Sequence, residues 1–167
     1  MITLKETAEV YRIGLQIELF SKKDVIYWAD HTIETLDKPP YEIIEVSSSN
    51  NDKLIDVISK LKNIKGKYDA TLPLKIILGI IYERFILSGE SLFTIKFFLS
   101  NLVYNNCCDE INNLHSELYN FNEEIFLAEE NIYGDLEAIS QKVKRFLSVY
   151  KNFSKYFEYV PDNNIRR

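Results

Sequence analysis

Apolar residues recur along most of this chain at intervals of three and four, the spacing that puts them on one side of an α-helix. The densest run is residues 72–88, Leu-Pro-Leu-Lys-Ile-Ile-Leu-Gly-Ile-Ile-Tyr-Glu-Arg-Phe-Ile-Leu-Ser. Leu74, Ile77, Ile81 and Phe85 fall on one side of a helix there, and Ile76, Ile80 and Leu87 on another. A helix apolar all round is buried, in a core or in a membrane. A membrane span needs about 20 apolar residues with few charges. This run is shorter and holds Lys75, Glu83 and Arg84, so it predicts a central core helix.

The other helices follow from the same pattern. The first is expected from about Thr3 to Phe20, opened by the capping pair Thr3 and Glu6. It carries two apolar faces, one of Leu4, Ala8, Tyr11, Leu15 and Leu19, the other of Val10, Ile13, Ile17 and Phe20. The second starts at Ser21 with Asp24 three residues on, and ends before Pro39-Pro40, because a residue preceding proline avoids helical angles. A short helix restarts at Pro40 or Tyr41 and fades in the polar run 47–51. A fourth is expected from about Asp52 to Lys62, with Gly66 as a stop beyond it. The central helix and a sixth, from about Glu90 to Asn105, are joined by Ser88-Gly89 and predict an antiparallel hairpin at the heart of the fold. Two clean stripes follow: Ile111, Leu114, Leu118, Phe121, Ile125 and Ala128, then Leu136, Ile139, Val143, Phe146, Tyr150 and Phe153. These predict helices seven and eight, with a turn over 131–134. Gly14 and Gly79 each cost about 1 kcal/mol inside a helix relative to alanine, and a close crossing of their two helices would offset that.

The expected fold is therefore all-α: a single domain over residues 1–160, built as a bundle of about eight helices around helix 72–88. Residues 161–167 are expected to form a flexible tail. With 167 residues, 5 Gly and 4 Pro, the chain is long enough to bury a core and poor in the breakers that a turn-rich β-fold uses.

Charge narrows the function classes. The net charge is −5 and the isoelectric point near 5.2, whereas a nucleic-acid binder usually carries a basic footprint. No nucleic-acid partner, and in the absence of a basic amphipathic helix no membrane partner, is expected. Neighbouring Cys107 and Cys108 do not make a disulfide framework. They are expected as reduced thiols at a helix end. The first residues lack a basic stretch followed by an apolar run, so a cytoplasmic location is expected.

The charges are also segregated. From Asp109 to Glu137 stand Asp109, Glu110, Glu117, Glu123, Glu124, Glu129, Glu130, Asp135 and Glu137, with no Lys or Arg between them. The next stretch is basic, with Lys142, Lys144, Arg145 and Lys151. A solvated helix face is the ordinary cause of such a run. Two details point further. Helix seven lacks the Glu-to-Lys pairs four apart that support exposed helices, and clustered carboxylates repel unless a base answers them. The base is either helix eight or a partner. Tyr119 and Tyr133 are interleaved with the acids, and tyrosine is enriched at interfaces. Glu117, Tyr119, Glu123, Glu124, Glu129, Glu130 and Tyr133 are the candidate partner-binding residues. Asp30 and Glu34, one turn apart on helix two, form a second acidic set and are candidate partner-binding residues as well; Asp30 is also placed to tether the Pro39-Pro40 segment.

Candidate chemistry is sparse. His31 and His115 have no second His or Cys at ligand spacing, so no metal site is expected. Cys107 or Cys108 with His115 lacks a positioned third group and an oxyanion hole. The glycines form no phosphate-cradling loop. No catalytic residue and no cofactor is assigned, and an enzyme is not expected.

Trp28-Ala29-Asp30, Pro39-Pro40-Tyr41-Glu42 and Ile44-Glu45-Val46-Ser47 together resemble a pattern in small all-helical bacterial proteins, some of which are immunity partners of polymorphic toxins. The resemblance covers about twenty residues. It implies a compact cytoplasmic protein that binds and silences a cognate toxin, and it implies no catalytic residue. The expected function is thus protein binding: occlusion of a cognate, basic toxin through an acidic face. The rival expectation is a helical adaptor that takes a partner helix into an apolar groove. The oligomeric state does not follow from the sequence.

Overall fold

A computed structural model describes residues 2–158; the expected tail lies outside them. Among these residues there are eight α-helices and no strand. They are α1 (Leu4–Gln16), α2 (Lys22–Thr35), α3 (Tyr41–Ser47), α4 (Leu54–Asn63), α5 (Leu72–Ile86), α6 (Leu92–Tyr104), α7 (Leu114–Glu129) and α8 (Leu136–Ser148). Short 3-10 turns lie at Ser49–Asn51 and Ser154–Tyr156. The fold is all-helical, as the spacing predicts. The contacts of the described residues gather into two groups, residues 2–68 with 157 and 158, and residues 69–156.

In the first group α1 packs on α4 and α2, α2 on α3, and α3 on α4. Both expected capping boxes are formed: Thr3 with Glu6 opens α1, and Ser21 with Asp24 opens α2. Helix α1 stops at Gln16, earlier than its apolar spacing suggests. Glu18 turns to φ 62°, the Leu19 amide donates to Gly14 O at 2.8 Å, and the Glu18 amide donates to Leu15 O at 3.3 Å. This is the Schellman ending, with glutamate where glycine is usual. It folds Phe20 back over α1, where a Cβ on Gly14 would lie 2.1 Å from the Phe20 ring. Gly14 therefore makes room for Phe20. The rings of Phe20, Trp28 and Phe157 surround Tyr11, at centroid distances of 5.3, 4.8 and 5.1 Å. Trp28 belongs to this buried cluster.

The third side of α1 is buried too, although it is charged. Lys5 Nζ donates to Glu9 at 2.7 Å and to Lys62 O at 2.9 Å, and Arg12 Nε donates to Glu9 at 2.6 Å. Lys5 thereby serves a carbonyl in the last turn of α4, which has no helical partner of its own. The polar loop 47–52 is held the same way. Lys60 Nζ donates to Glu45 O, Ser49 Oγ and Asp52 Oδ2 at 3.0, 3.0 and 2.6 Å, and Lys22 Nζ donates to Asn50 O and Asp52 O. The hydrogen bond from Lys60 holds the Asp52 carboxyl below its usual range.

In the second group α5 packs chiefly on α8 and the 154–156 turn, with α6 a smaller neighbour. Leu78 and Ile81 are fully buried and Phe85 nearly so, which fits a core helix. Helix α6 packs mainly on α7, and α7 on α8. The expected α5–α6 hairpin exists but is not the heart of the group. Only one side of α6, Ile95, Phe98, Leu99 and Leu102, is buried.

Two expected boundaries shift. Helix α7 begins at Leu114 rather than at Ile111, where its apolar stripe starts. Asn106 (φ 52°) closes α6 with a Schellman ending, and Asn113 (φ 63°) stands just before α7, so no helix can run through 106–113. Helix α8 ends at Ser148. Beyond it, Tyr150, Lys151 and Phe153 donate their amides three residues back, to Leu147, Ser148 and Tyr150. A three-residue period keeps Tyr150 and Phe153 near the stripe without extending the α-helix. This segment passes close to Gly79: a Cβ there would lie 2.7 Å from Tyr150 O and 2.8 Å from Ser154 N. Gly14 and Gly79 thus do not mark a shared crossing, since each receives a different segment.

Candidate functional site

The seven acidic and tyrosine candidates of residues 117–133 all belong to the second group, and Asp30 and Glu34 to the first. The buried stripe of α7 is Leu114, Leu118, Phe121, Ile125 and Ala128. At 3.6 residues per turn, the side opposite carries Tyr119, Glu123, Phe126 and Glu130, and all four are exposed. Tyr133 follows in the α7–α8 turn and is 79% exposed, beside Ile132 at 66%. Glu117 and Glu124 lie on one flank and Glu129 on the other.

Two of the three flanking acids meet bases of their own chain. Lys142 of α8 reaches Glu124 at 2.5 Å, and Lys96 of α6 reaches Glu129 at 2.6 Å. Both lysines also sit over rings, Lys142 over Phe121 and Lys96 over Phe126, at 5.5 and 5.6 Å. Helix eight therefore answers one acid of the run, and helix six another. Glu117 has no ion pair among the described residues, but its charge, after burial, helps push the Tyr150 hydroxyl upward in pKa. Asp135 is used locally, accepting the Ala138 amide at 2.9 Å to cap α8. Glu123 and Glu130, on the outward side, form no ion pair with any described residue. The outward stripe of α7 thus alternates unanswered carboxylates with exposed rings.

Asp30 is engaged: it accepts a hydrogen bond from the Ser47 hydroxyl at the end of α3. The tether runs to the helix after Pro39-Pro40 rather than to the prolines themselves. Glu34 is exposed on the same helix.

Spacing alone did not single out Phe126 and Ile132, because an apolar residue on a helix is first assigned to its core. The signal available was the 119–123–126–130 interval, which sits half a turn from the buried stripe. Three further rings, Phe93, Phe97 and Tyr104 on α6, are exposed, at 68%, 41% and 84%. The reason is that α6 has its neighbours on one side only.

Other chemistry is thin. Neither Cys107 nor Cys108 is in a disulfide among the described residues. Burial, with help from Cys107 and Asp109, pushes the Cys108 thiol up to about 12, which makes it a poor nucleophile at neutral pH. His115 is exposed on α7. Among the described residues, no group of three or more His, Cys, Asp or Glu could hold a metal ion, and no helix is long and apolar enough to cross a membrane. No protein-family model, curated protein or solved structure matches the chain.

Proposed function

We propose that this chain is a protein-binding protein of the immunity type, which occludes a basic toxin through the outward side of α7. The observation that carries this reading is the stripe Tyr119, Glu123, Phe126 and Glu130, exposed and, among the described residues, with no base paired to either of its two carboxylates. Rings alternating with carboxylates suit a basic surface. The rings supply contact area at low entropy cost and desolvate the edge of the patch, while the carboxylates steer a cationic partner and raise the association rate. Glu117, Glu124 and Glu129 extend the negative potential on the flanks, and Tyr133 adds a ring beyond the helix end. Glu34 and Asp30 belong to a separate, smaller acidic set, of which Asp30 already serves the fold.

The test is binding to the product of the neighbouring gene, measured by surface plasmon resonance at several salt concentrations. The association rate should fall as salt rises, because screening shortens the reach of the patch. Glu123→Lys with Glu130→Lys should weaken binding at least tenfold while the thermal melt stays put, since neither carboxylate has an ion pair to lose among the described residues. Glu124→Lys is the internal control: it breaks the Lys142 pair and should lower stability by up to about 1 kcal/mol. Unchanged affinity in the Glu123, Glu130 double variant would refute the assignment. The adaptor reading draws its support from a different feature, the exposed rings of α6.

A further inference from the structure

Helix α6 is apolar on two opposite sides. Ile95, Phe98, Leu99 and Leu102 face the second group's own core. Half a turn away stand Phe93, Phe97, Ser100 and Tyr104, at intervals of four, three and four, the seam spacing of paired helices. Phe93, Phe97 and Tyr104 are exposed and Ser100 is half-buried. The only charged residue of α6 is Lys96, and it is occupied by Glu129. The seam therefore carries no charge at all. From this we infer that α6 is a homodimer interface, with α6 of a second copy lying antiparallel across it.

Three features favour a second copy over another occupant. First, an uncharged seam offers nothing to select or steer an unlike partner, whereas two identical apolar seams are complementary by symmetry. Second, the order of sizes fits an antiparallel two-fold. Its centre falls between Phe97 and Ser100, so each Phe97 ring meets the gap over the partner's Ser100, and each Phe93 meets the partner's Tyr104. Large opposite small lets two helices approach closely. Third, the exposed rings supply about half of the area that a stable interface takes, enough for its apolar centre. With roughly 200 Å² per aromatic side chain, exposures of 68%, 41% and 84% leave on the order of 400 Å² of ring surface on each copy. A stable interface takes about 800 Å² per partner, apolar at its centre and polar at its rim. The three rings supply such a centre.

The experiment is sedimentation equilibrium of the full chain over a range from 1 to about 200 μM. The expected mass is twice the monomer's 19.6 kDa, with dissociation on dilution. Phe93→Glu and Tyr104→Glu each place a carboxylate in the seam at an exposed position, and each should raise the dimer dissociation constant at least tenfold. Tyr133→Glu, equally exposed but off α6, should leave it unchanged. Circular dichroism melts of monomeric species keep a folding defect separate from a dimer defect. A monomer at every concentration would overturn the inference. So would a dimer that Phe93→Glu and Tyr104→Glu leave intact, which would place the contact elsewhere, or a mass that grows without limit, which would mean an open head-to-tail contact.

Discussion

Gly79→Ala sets two opposed forces against each other at one atom. In an exposed helix the change is favourable by roughly 1 kcal/mol, because alanine loses less backbone entropy than glycine. Here the new methyl would lie 2.7 Å from Tyr150 O and 2.8 Å from Ser154 N, with Ser154 Cα at 3.5 Å. Ordinary contact between carbon atoms begins near 3.5 Å, so the facing backbone must retreat by on the order of 0.5 Å. That backbone is not free to do so. The Ser154 hydroxyl donates to Glu83 of α5 at 2.5 Å, and the Phe153 amide donates to Tyr150 O at 2.9 Å. Overpacking a fixed site costs about 1–3 kcal/mol, and two backbone contacts place this one near the upper end. Subtracting the helix-propensity gain leaves an expected loss of about 2 kcal/mol. Equilibrium urea unfolding would measure it as a lower midpoint at unchanged slope. Hydrogen exchange should locate it, with faster exchange at residues 150–156. Gly89→Ala is the control: nothing lies within 4 Å of its Cβ, but φ is +65°, so it should cost about 1 kcal/mol by backbone strain alone without touching exchange at 150–156. A Gly79→Ala protein as stable as the parent would refute the close approach.

Four further expectations follow from single features. Phe85→Ala should cost about 3–5 kcal/mol in the same unfolding assay, as large-to-small core changes do, because Phe85 is only 6% exposed; a loss below 1 kcal/mol would mean that α5 is not a core helix. Glu18→Gly should raise stability by up to about 1 kcal/mol, since glutamate at φ 62° bears a strain that glycine does not; a lower urea midpoint would contradict the Schellman ending. With Ellman's reagent at pH 8, the native protein should react at Cys107, and Cys108 should react only on unfolding, given its burial and a pKa pushed up to about 12; two fast equivalents would be incompatible with this. Asp52 is lowered by its hydrogen bond from Lys60, so its contribution is present above the unfolded value and is lost as pH falls through the native one; Asp52→Asn should therefore flatten the fall in stability below about pH 4 and leave the slope near pH 7 alone.

The beginnings of helices were more legible than their ends. Thr3 with Glu6 and Ser21 with Asp24 announce α1 and α2, because a cap places a particular side chain at a particular offset. The end of α1 was hidden, since glutamate at position 18 gives no sign of a left-handed conformation and apolar spacing continues through Phe20. The end of α8 was hidden differently. The turns after Ser148 follow a period of three, and over two turns that period hardly differs from 3.6, so Tyr150 and Phe153 read as one more helical stretch. The segment beyond Ser148 passes close to the backbone of α5 at Gly79, an approach across about seventy residues of chain. The buried Lys5 and Glu9 pair, with half-buried Arg12 beside it, was equally invisible, because its reason lies in the end of α4.

The candidate surface shows the same division between local and tertiary information. That Glu123 and Glu130 share a side with Tyr119 follows from their intervals alone. That Glu129 meets Lys96 and Glu124 meets Lys142 does not, since those lysines arrive from α6 and α8. Pairing removes Glu124 and Glu129 from the set with unanswered charge and leaves the outward pair, with Glu117 on the flank. Helix α6 carries the argument one step further. Its apolar residues on two opposite sides made it read as a core helix, and periodicity has no means of saying whose core. A side covered by the same chain and a side awaiting another chain have the same composition and the same spacing. The two are told apart only when the fold accounts for one side of α6, with Ile95, Phe98, Leu99 and Leu102, and leaves Phe93, Phe97 and Tyr104 in solvent. Surplus apolar periodicity of this kind is therefore information about association, and in this chain it is concentrated on α6, while the surplus charge lies on the outward side of α7.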